Sequence, residues 1–204
     1  MELGVALLIQ YLAPLLVALF ARYVMRVRVR RRIWLALALA LVGLSLVLEI
    51  WAGAELDGIG VGASLLAATS YALYILLAER EIGRRDAISL TAYGFLFASL
   101  FWAILQPWWS FPTAVFDDAA AGAWGVPVWS LMVWMILLGT IVPFGLLVAS
   151  LRFISATRAG ITAMIEPLAA TIVAWIWLGE ALGPAQLTGG ALALGGIVLA
   201  QTAR

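Results

Sequence analysis

The sequence predicts an all-α polytopic membrane protein with about seven transmembrane helices and a partial inverted five-helix repeat. Of its 204 residues, 65% are hydrophobic and only 11% are charged, whereas a soluble domain carries about 25% charged residues. A single globular core could not hide this much apolar surface, so most of it should face lipid. The two other observations behind the prediction are the lengths of the apolar runs and the distribution of arginine.

The apolar runs have the length of membrane spans. About 20 residues, at a rise of 1.5 Å each, cross a hydrocarbon layer of roughly 30 Å. The fifth run contains Gly139, Pro143 and Gly145, so we expect a helix break or hinge within it. The predicted spans cover about residues 3–25, 33–52, 59–79, 88–106, 128–151, 159–179 and 184–202.

Arginine is concentrated in alternate loops. All twelve basic residues are arginine, and most of them lie in the stretches RVRVRRR (26–32), EREIGRRDA (79–87) and RFISATR (152–158). The loops between these stretches contain acids and no arginine. Because arginine-rich loops stay in the cytoplasm, we expect a multi-pass protein of the cell (inner or plasma) membrane. Its N-terminus would lie outside and its C-terminus in the cytoplasm.

Two pairs of predicted spans are related in sequence. Residues 6–47 align with residues 159–200 without a gap, and 10 of the 42 aligned positions are identical, including Pro14 with Pro167. The alignment pairs the first span with the sixth and the second with the seventh. Spans that stand five apart run antiparallel across the membrane, which is the inverted repeat of many secondary transporters.

The repeat divides the chain unequally. Residues 1–52 would be the last two helices of an N-terminal repeat, and residues 53–204 would be a complete C-terminal five-helix repeat. In the second and seventh spans the alignment also pairs Gly43 with Gly196. We expect the glycines of the seventh span to serve close helix packing.

Several short motifs resemble a known family. They are the Glu166-Pro167 pair, the Leu-Gly-Glu that ends at Glu180 and a final glycine-rich helix, all in the expected order. The stretches ASLLAATSYALYILLAERE (63–81) and LIQYLAPLLVALFARYV (8–24) fit as well. Together they resemble EamA-type transporters of the drug/metabolite transporter superfamily. The resemblance covers essentially the whole chain and matches the last seven of that family's ten helices.

The resemblance implies a function and leaves alternatives open. It implies a secondary transporter that exports small organic solutes such as amino acids, metabolites or drugs by alternating access. The small-molecule substrate and the lipid bilayer would be its partners, and a second copy or further N-terminal helices would complete the cavity. The alternatives are a truncated, non-transporting remnant, or half of an assembly that needs a partner. A seven-helix receptor and a membrane-embedded enzyme are less favoured.

Glu166 is the one acid deep inside an apolar run. A charged carboxylate near the bilayer centre costs about 2.5–3.5 kcal/mol on insertion scales, so it usually faces a cavity or a partner. Pro167 removes a backbone N–H and leaves a carbonyl one turn earlier without its usual donor. The pair therefore predicts a hydrated cavity in which Glu166 contacts substrate, carries a proton or does both. The alternative is a structural acid bonded to a neighbouring helix.

Four other side chains are candidates for the same substrate-binding site. Tyr11 lies one turn before Pro14, the repeat mate of Pro167 and so a second expected helix break. Tyr71 and Tyr74 share a helix face at a spacing of three residues. Thr140 lies beside the expected break in the fifth span. Aromatic walls with hydroxyl groups suit an amphipathic organic solute, although tyrosines also often only pack.

Composition excludes several kinds of chemistry. The sequence has no cysteine, histidine or lysine, so we expect no catalytic residues, no metal site and no cofactor. A retinal protein would need a lysine for its Schiff base. No phosphate-binding loop of the Walker type is present, and a net charge of +1 indicates no nucleic-acid partner. These features predict that the protein is not an enzyme.

Overall fold

The computed structural model describes residues 3–49, 57–106, 109, 116, 126–179 and 181–203. The described residues are mostly helical, which confirms the all-α polytopic class. The predicted domain boundary at residues 52 and 53 lies outside the described residues, and so does Glu180. That domain division therefore stays a prediction.

Ten α-helices and two π-helical segments follow one another along the described chain. In the first and sixth predicted spans the helix is interrupted, and in the fifth and sixth a π-helical segment replaces part of the α-helix. The α-helices are α1 (Leu3–Gln10), α2 (Ala13–Tyr23), α3 (Arg31–Val47), α4 (Gly58–Glu81), α5 (Ala87–Leu105), α6 (Val128–Ile136), α7 (Val142–Ser150), α8 (Ala156–Ala163), α9 (Ile165–Val173) and α10 (Pro184–Thr202). The π-helical segments are Leu137–Ile141 and Ala174–Leu178.

Five stretches of the described chain are long and apolar enough to cross a membrane. They are Gly4–Tyr23, Gly58–Glu81, Ala87–Leu105, Val128–Ser150 and Ala156–Trp177. The other two predicted spans also form helices, but α3 has only 17 residues and α10, with 19, is less apolar. The total of seven spans therefore stays a prediction.

Local sequence signals set where the helices start. The carboxylate of Asp57 accepts a hydrogen bond from the Gly60 N–H at 2.8 Å, just before α4. At α5, Asp86 accepts hydrogen bonds from the Ser89 hydroxyl at 2.7 Å and the Ser89 N–H at 2.8 Å. These two bonds hold the pKa of the Asp86 carboxyl below its usual value. Acidic N-caps of this kind satisfy N–H groups that have no partner inside the helix.

The chain divides into two compact units. The first combines residues 1–77 with residues 154–204, and the second is residues 78–153. In the first unit, α3 and α10 pack along each other around a buried core. The largest fully buried side chains of this core include Leu37, Leu44 and Ile161.

Glycines allow α3 and α10 to approach backbone to backbone. A Cβ atom on Gly43 would lie 2.5 Å from the Gly189 carbonyl oxygen and 2.5 Å from the Ala193 nitrogen. A Cβ on Gly196 would lie 2.7 Å from the Ala36 oxygen and 2.8 Å from the nitrogen of Ala40. Real Cβ atoms essentially never come closer than 3.0 Å to such atoms, so any side chain here would push the helices apart.

These two sets of contacts are equivalent under the sequence repeat. Gly43 aligns with Gly196, and the residues that Gly43 touches align with those that Gly196 touches, oxygen for oxygen and nitrogen for nitrogen. The contacts also run in opposite directions along α3 and α10, so the two helices are antiparallel. An inverted repeat predicts this arrangement.

The second unit contains α5, α6 and α7. Phe95 of α5 packs edge to face on Phe144 of α7, with ring centroids 5.7 Å apart. Most apolar side chains of these helices are exposed, as expected for surfaces that contact lipid. The hydroxyl of buried Thr91 donates to the Ala87 carbonyl one turn earlier at 2.8 Å, so its polar group has a partner.

Candidate functional site

The first span is broken next to Tyr11. Helix α1 ends at Gln10, a turn follows, and α2 begins at Ala13 with Pro14 in its first turn. The Leu12 N–H donates to the carbonyl three residues earlier at 3.1 Å, a tighter turn than that of an α-helix. Proline is well tolerated in a first turn because its missing N–H would have no helical partner there. The predicted break at Pro14 therefore exists as a turn between two helices.

The sixth span is broken at the equivalent place. Helix α8 ends at Ala163, Met164 forms a turn, and α9 begins at Ile165. Glu166 and Pro167 both lie in the first turn of α9. A carboxylate there is favoured by the partial positive charge of the helix N-terminus. The sequence thus places the acid at a helix start, where backbone N–H groups also lack helical partners.

The two breaks meet in the first compact unit. The Tyr11 hydroxyl donates a hydrogen bond to Glu166 Oε2 at 3.4 Å, across 155 residues of sequence. Pro14 is buried and contacts Gly160 of α8. Because Tyr11 pairs with Glu166 and the later Pro14 pairs with the earlier Gly160, the two broken spans run antiparallel.

Two further tyrosines belong to the same unit. Tyr71 and Tyr74 are half-buried on one face of α4. The Tyr71 phenol lies within electrostatic range of Glu166, Tyr11 and Tyr74. The structure thus brings together four of the five predicted substrate-binding residues.

Glu166 is exposed within its unit, whereas its neighbour Pro167 is buried. Across the described ranges, Arg84 with Glu81 forms the ion pair that the structure records, at 3.9 Å, and no arginine pairs with Glu166. Among the described residues, the Glu166 carboxylate therefore lies beside the Tyr11 phenol and has no arginine partner. A ligand with a positive charge would complement it.

The remaining predicted residues lie in the second unit, which is described on its own. Gly139 and Thr140 are in the π-helical segment Leu137–Ile141, Pro143 is in the first turn of α7, and Gly145 is inside α7. The Thr140 hydroxyl donates to the Met135 carbonyl at 3.5 Å, five residues earlier. The fifth span thus departs from regular α-helix where its sequence predicts. Π-helical turns are frequent at functional sites, but the hinge role of these residues stays a prediction.

An open groove of about 350 Å³ lies between α2 and α4 in the first unit. Its lining is almost wholly apolar and comes from aliphatic and aromatic side chains together with Thr69. It includes Ala72 and Leu73, which are neighbours of the two site tyrosines in α4. The groove itself contains no acid.

One residue at the site was not anticipated from the sequence. Gly160, six residues before Glu166, lies against the proline of the other break. The sequence around it, TRAGITAMIEP, gives no signal beyond a small residue on an apolar face. The partner across the interface is 146 residues away, and only the fold brings it there.

The comparisons with known proteins agree with this fold. Residues 58–202 match the EamA-like transporter family. A solved crystal structure covers 100% of this chain and 70% of its own, with a TM-score of 0.76 and 20% sequence identity, and so supports the fold. The protein is therefore a multi-pass α-helical membrane transporter, and it belongs to the EamA-like transporter family.

Relatives with curated names are also transporters. An uncharacterized transporter from Archaeoglobus fulgidus is 33% identical over 202 residues, which is 98% of this chain and 67% of that protein. The threonine/homoserine exporter RhtA of Escherichia coli is 30% identical over 200 residues, covering 97% of this chain and 61% of RhtA. The uncharacterized transporter YdfC of Bacillus subtilis is 26% identical over 196 residues, covering 95% and 61%. The chain thus spans about two thirds of the length of these relatives, none of which is named as an enzyme.

Proposed function

We propose that the protein is a secondary transporter that exports small organic solutes carrying an ammonium group, amino acids among them, by alternating access. Glu166 would contact the ammonium group, with Tyr11, Tyr71 and Tyr74 around it. The observation that carries the proposal is the unbalanced carboxylate that lies beside a phenol where two broken helices meet.

The chemistry of the site favours a cation. A carboxylate at membrane depth is expensive unless it is hydrated, protonated or paired. Aromatic rings attract cations through their faces, by about 0.5–2 kcal/mol. The hydroxyl of Tyr11 orients the carboxylate by donating to one oxygen and leaves the other oxygen available. RhtA, named for threonine and homoserine, handles two solutes that carry such a group.

The helix breaks favour alternating access. Discontinuous helices near the midplane form the substrate sites of many secondary transporters, and their half-helices move against each other. Here the breaks at Tyr11 and Met164 have half-helices on either side. We propose that Pro14 and Pro167 fix the start of the moving half-helices. Gly139, Pro143 and Gly145 would give the fifth span a hinge, and Thr140 would contact substrate from it.

The loop charges support an orientation in the cell membrane with the N-terminus outside and the C-terminus in the cytoplasm. The chain has no cysteine, so the labelling of a single introduced cysteine can report the orientation without a signal from native thiols. Asp57→Cys should react with a membrane-impermeant maleimide on intact cells, whereas Ser155→Cys should react only after the cells are opened. The reverse pattern would invert the proposed orientation.

Completion of the cavity is a further part of the proposal. We propose that additional helices, from a longer form of the protein or from a second copy, close the cavity around Glu166. The intact mass of the native protein in its own membrane tests this, because three helices with their loops would add roughly 10 kDa to 21.9 kDa. A native mass of 21.9 kDa together with a monomer in the membrane would overturn it.

Flux measurements test the function directly. The full-length protein, as its cells produce it, is reconstituted into liposomes, and uptake of labelled threonine is compared with that of empty liposomes. Loss of a charge-assisted contact worth about 1.5–3 kcal/mol predicts that Glu166→Gln lowers kcat/KM at least about tenfold. The matched control is Glu49→Gln, which also removes one acid, near the end of α3. Equal flux from Glu166→Gln and wild type would show a structural acid, and no flux from the wild type would indicate a remnant.

A further inference from the structure

The contact between Pro14 and Gly160 is unusually close. A Cβ atom added to Gly160 would lie 3.2 Å from Pro14 Cβ, 3.2 Å from Pro14 Cγ and 3.5 Å from Pro14 Cα. Contacts between 3.0 and 3.4 Å are tighter than nine in ten real Cβ contacts, so a neighbour would have to move by a few tenths of an ångström. Both residues are buried, and the proline ring is rigid, so neither side has a flexible group that could turn away.

The hydrogen bond at the site has no room for such a movement. Tyr11 lies in the turn just before α2, three residues before Pro14, so we expect a shift of Pro14 to displace Tyr11 as well. The Tyr11 hydroxyl already lies 3.4 Å from Glu166 Oε2. A side-chain contact of about 3.6 Å is no longer a hydrogen bond. A displacement of a few tenths of an ångström that moves Tyr11 away from Glu166 would therefore lengthen this bond beyond hydrogen-bond distance.

We infer that Gly160 is a positioning residue for the carboxylate of the substrate site. Its missing side chain lets the two broken spans approach until Tyr11 reaches Glu166, and so it sets the orientation of the carboxylate without touching substrate. The inference rests on the proposed function for its effect on transport. Its effect on the hydrogen bond does not depend on that function.

Energetic coupling between Gly160 and Tyr11 is the test. KM for labelled threonine is measured in liposomes for the wild type, Tyr11→Phe, Gly160→Ala and the double variant of the full-length protein. We expect Tyr11→Phe to raise KM about threefold or more in the wild type, and less than about 1.5-fold when Gly160→Ala has already broken the bond. An equal effect of Tyr11→Phe in both backgrounds would overturn the inference, because independent sites add.

The chain supplies a matched control for the substitution itself. Gly190 is in the same compact unit, and a Cβ atom there would meet nothing within 4 Å. Gly190→Ala should leave KM and the effect of Tyr11→Phe unchanged. Were it to suppress the Tyr11→Phe effect as strongly as Gly160→Ala does, the coupling would reflect a general change in the unit and not the contact with Pro14.

A spectroscopic readout separates this inference from the proposed function. The infrared carboxylate band of Glu166, identified by difference from Glu166→Gln, should shift in Tyr11→Phe and by the same amount in Gly160→Ala. Equal band shifts in a protein that shows no flux would reject the proposed transport function and support the positioning role of Gly160. No shift in Gly160→Ala would reject the positioning role, whatever the flux.

A second variant covers the case in which Gly160→Ala does not fold. Pro14→Gly removes Cβ and Cγ, the two atoms 3.2 Å from the added methyl group. Combined with Gly160→Ala it should restore folded protein, as measured by a monodisperse elution profile in detergent. Failure of the combination to recover any folded protein would show that Gly160 acts through a different contact, and would overturn the inference.

Discussion

The first and sixth spans are broken at equivalent positions, but they differ in chemistry. Both resume as a helix with a proline in the first turn, Pro14 in one and Pro167 in the other, and both prolines are buried. The residue before the proline is Ala13 in the first span, with 1% of its surface exposed. In the sixth span it is Glu166, which is exposed in its unit. The prolines thus serve the backbone on both sides, whereas the acid occurs only where the surroundings leave it accessible.

The difference indicates how an asymmetric site arises in a repeated fold. A repeat relates backbones, and Gly43 with Gly196 shows that such equivalence extends to single oxygen and nitrogen contacts. The side chains at the two breaks need not be equivalent, because each break packs against different neighbours. The site that we propose therefore takes a tyrosine, Tyr11, from the first break and an acid, Glu166, from the other. Variants that exchange or remove these features test the comparison.

The largest effect is expected from moving the acid to the first break. Ala13→Glu buries a carboxylate among apolar atoms, at a cost of several kcal/mol, and should abolish folded protein in membranes. The reciprocal change, Glu166→Ala, affects an exposed position and should leave the yield of folded protein near that of the wild type while it removes flux. Yield and elution profile in detergent measure both. If the double variant Ala13→Glu with Glu166→Ala folded and transported, the breaks would be interchangeable.

A smaller effect, equal on both sides, is expected at the glycine contacts. An added methyl group in Gly43→Ala or Gly196→Ala would fall within 2.8 Å of backbone atoms of the facing helix, so each should cost about 1–3 kcal/mol. The control is Gly195→Ala in the same helix, where a Cβ atom would meet nothing within 4 Å. Denaturation in mixed micelles measures all three free energies. Costs for Gly43→Ala and Gly196→Ala that differ by more than about 1 kcal/mol would contradict the equivalence.

The sequence predicts those features that depend on local chemistry. The breaks follow from prolines inside apolar runs, and the departure from α-helix near Gly139 and Pro143 follows from two residues that disfavour helices. The positions of the helices also agree with the apolar runs. The pairing of Tyr11 with Glu166 could only be suggested as a shared cavity, since its distance depends on how α2 and α8 cross.

The remaining features depend on contacts between distant residues. Gly160 carries no local signal, because what matters is the proline that faces it across the fold. Thr140 was grouped with the site on its place in the fifth span alone, but its hydroxyl bonds within that span, and its part in the site stays a proposal. Helices α3 and α10 illustrate a different limit. Apolar length alone does not show that α3 and α10 rely on each other for packing.

The smallest predicted effect concerns the tyrosines around the acid. Tyr71 lies within electrostatic range of Glu166, and Tyr74 lies within electrostatic range of Tyr71. Removing one hydroxyl near a charge costs up to about 1 kcal/mol, so Tyr71→Phe should raise KM about two- to fourfold and Tyr74→Phe less. Tyr93→Phe is the matched control, because Tyr93 lies in the second unit, beneath the guanidinium of Arg85 at 5.8 Å. Effects of the same size at all three positions would mean that phenols do not specifically support the acid. The chemical difference between the breaks of the first and sixth spans would then come from Glu166 alone.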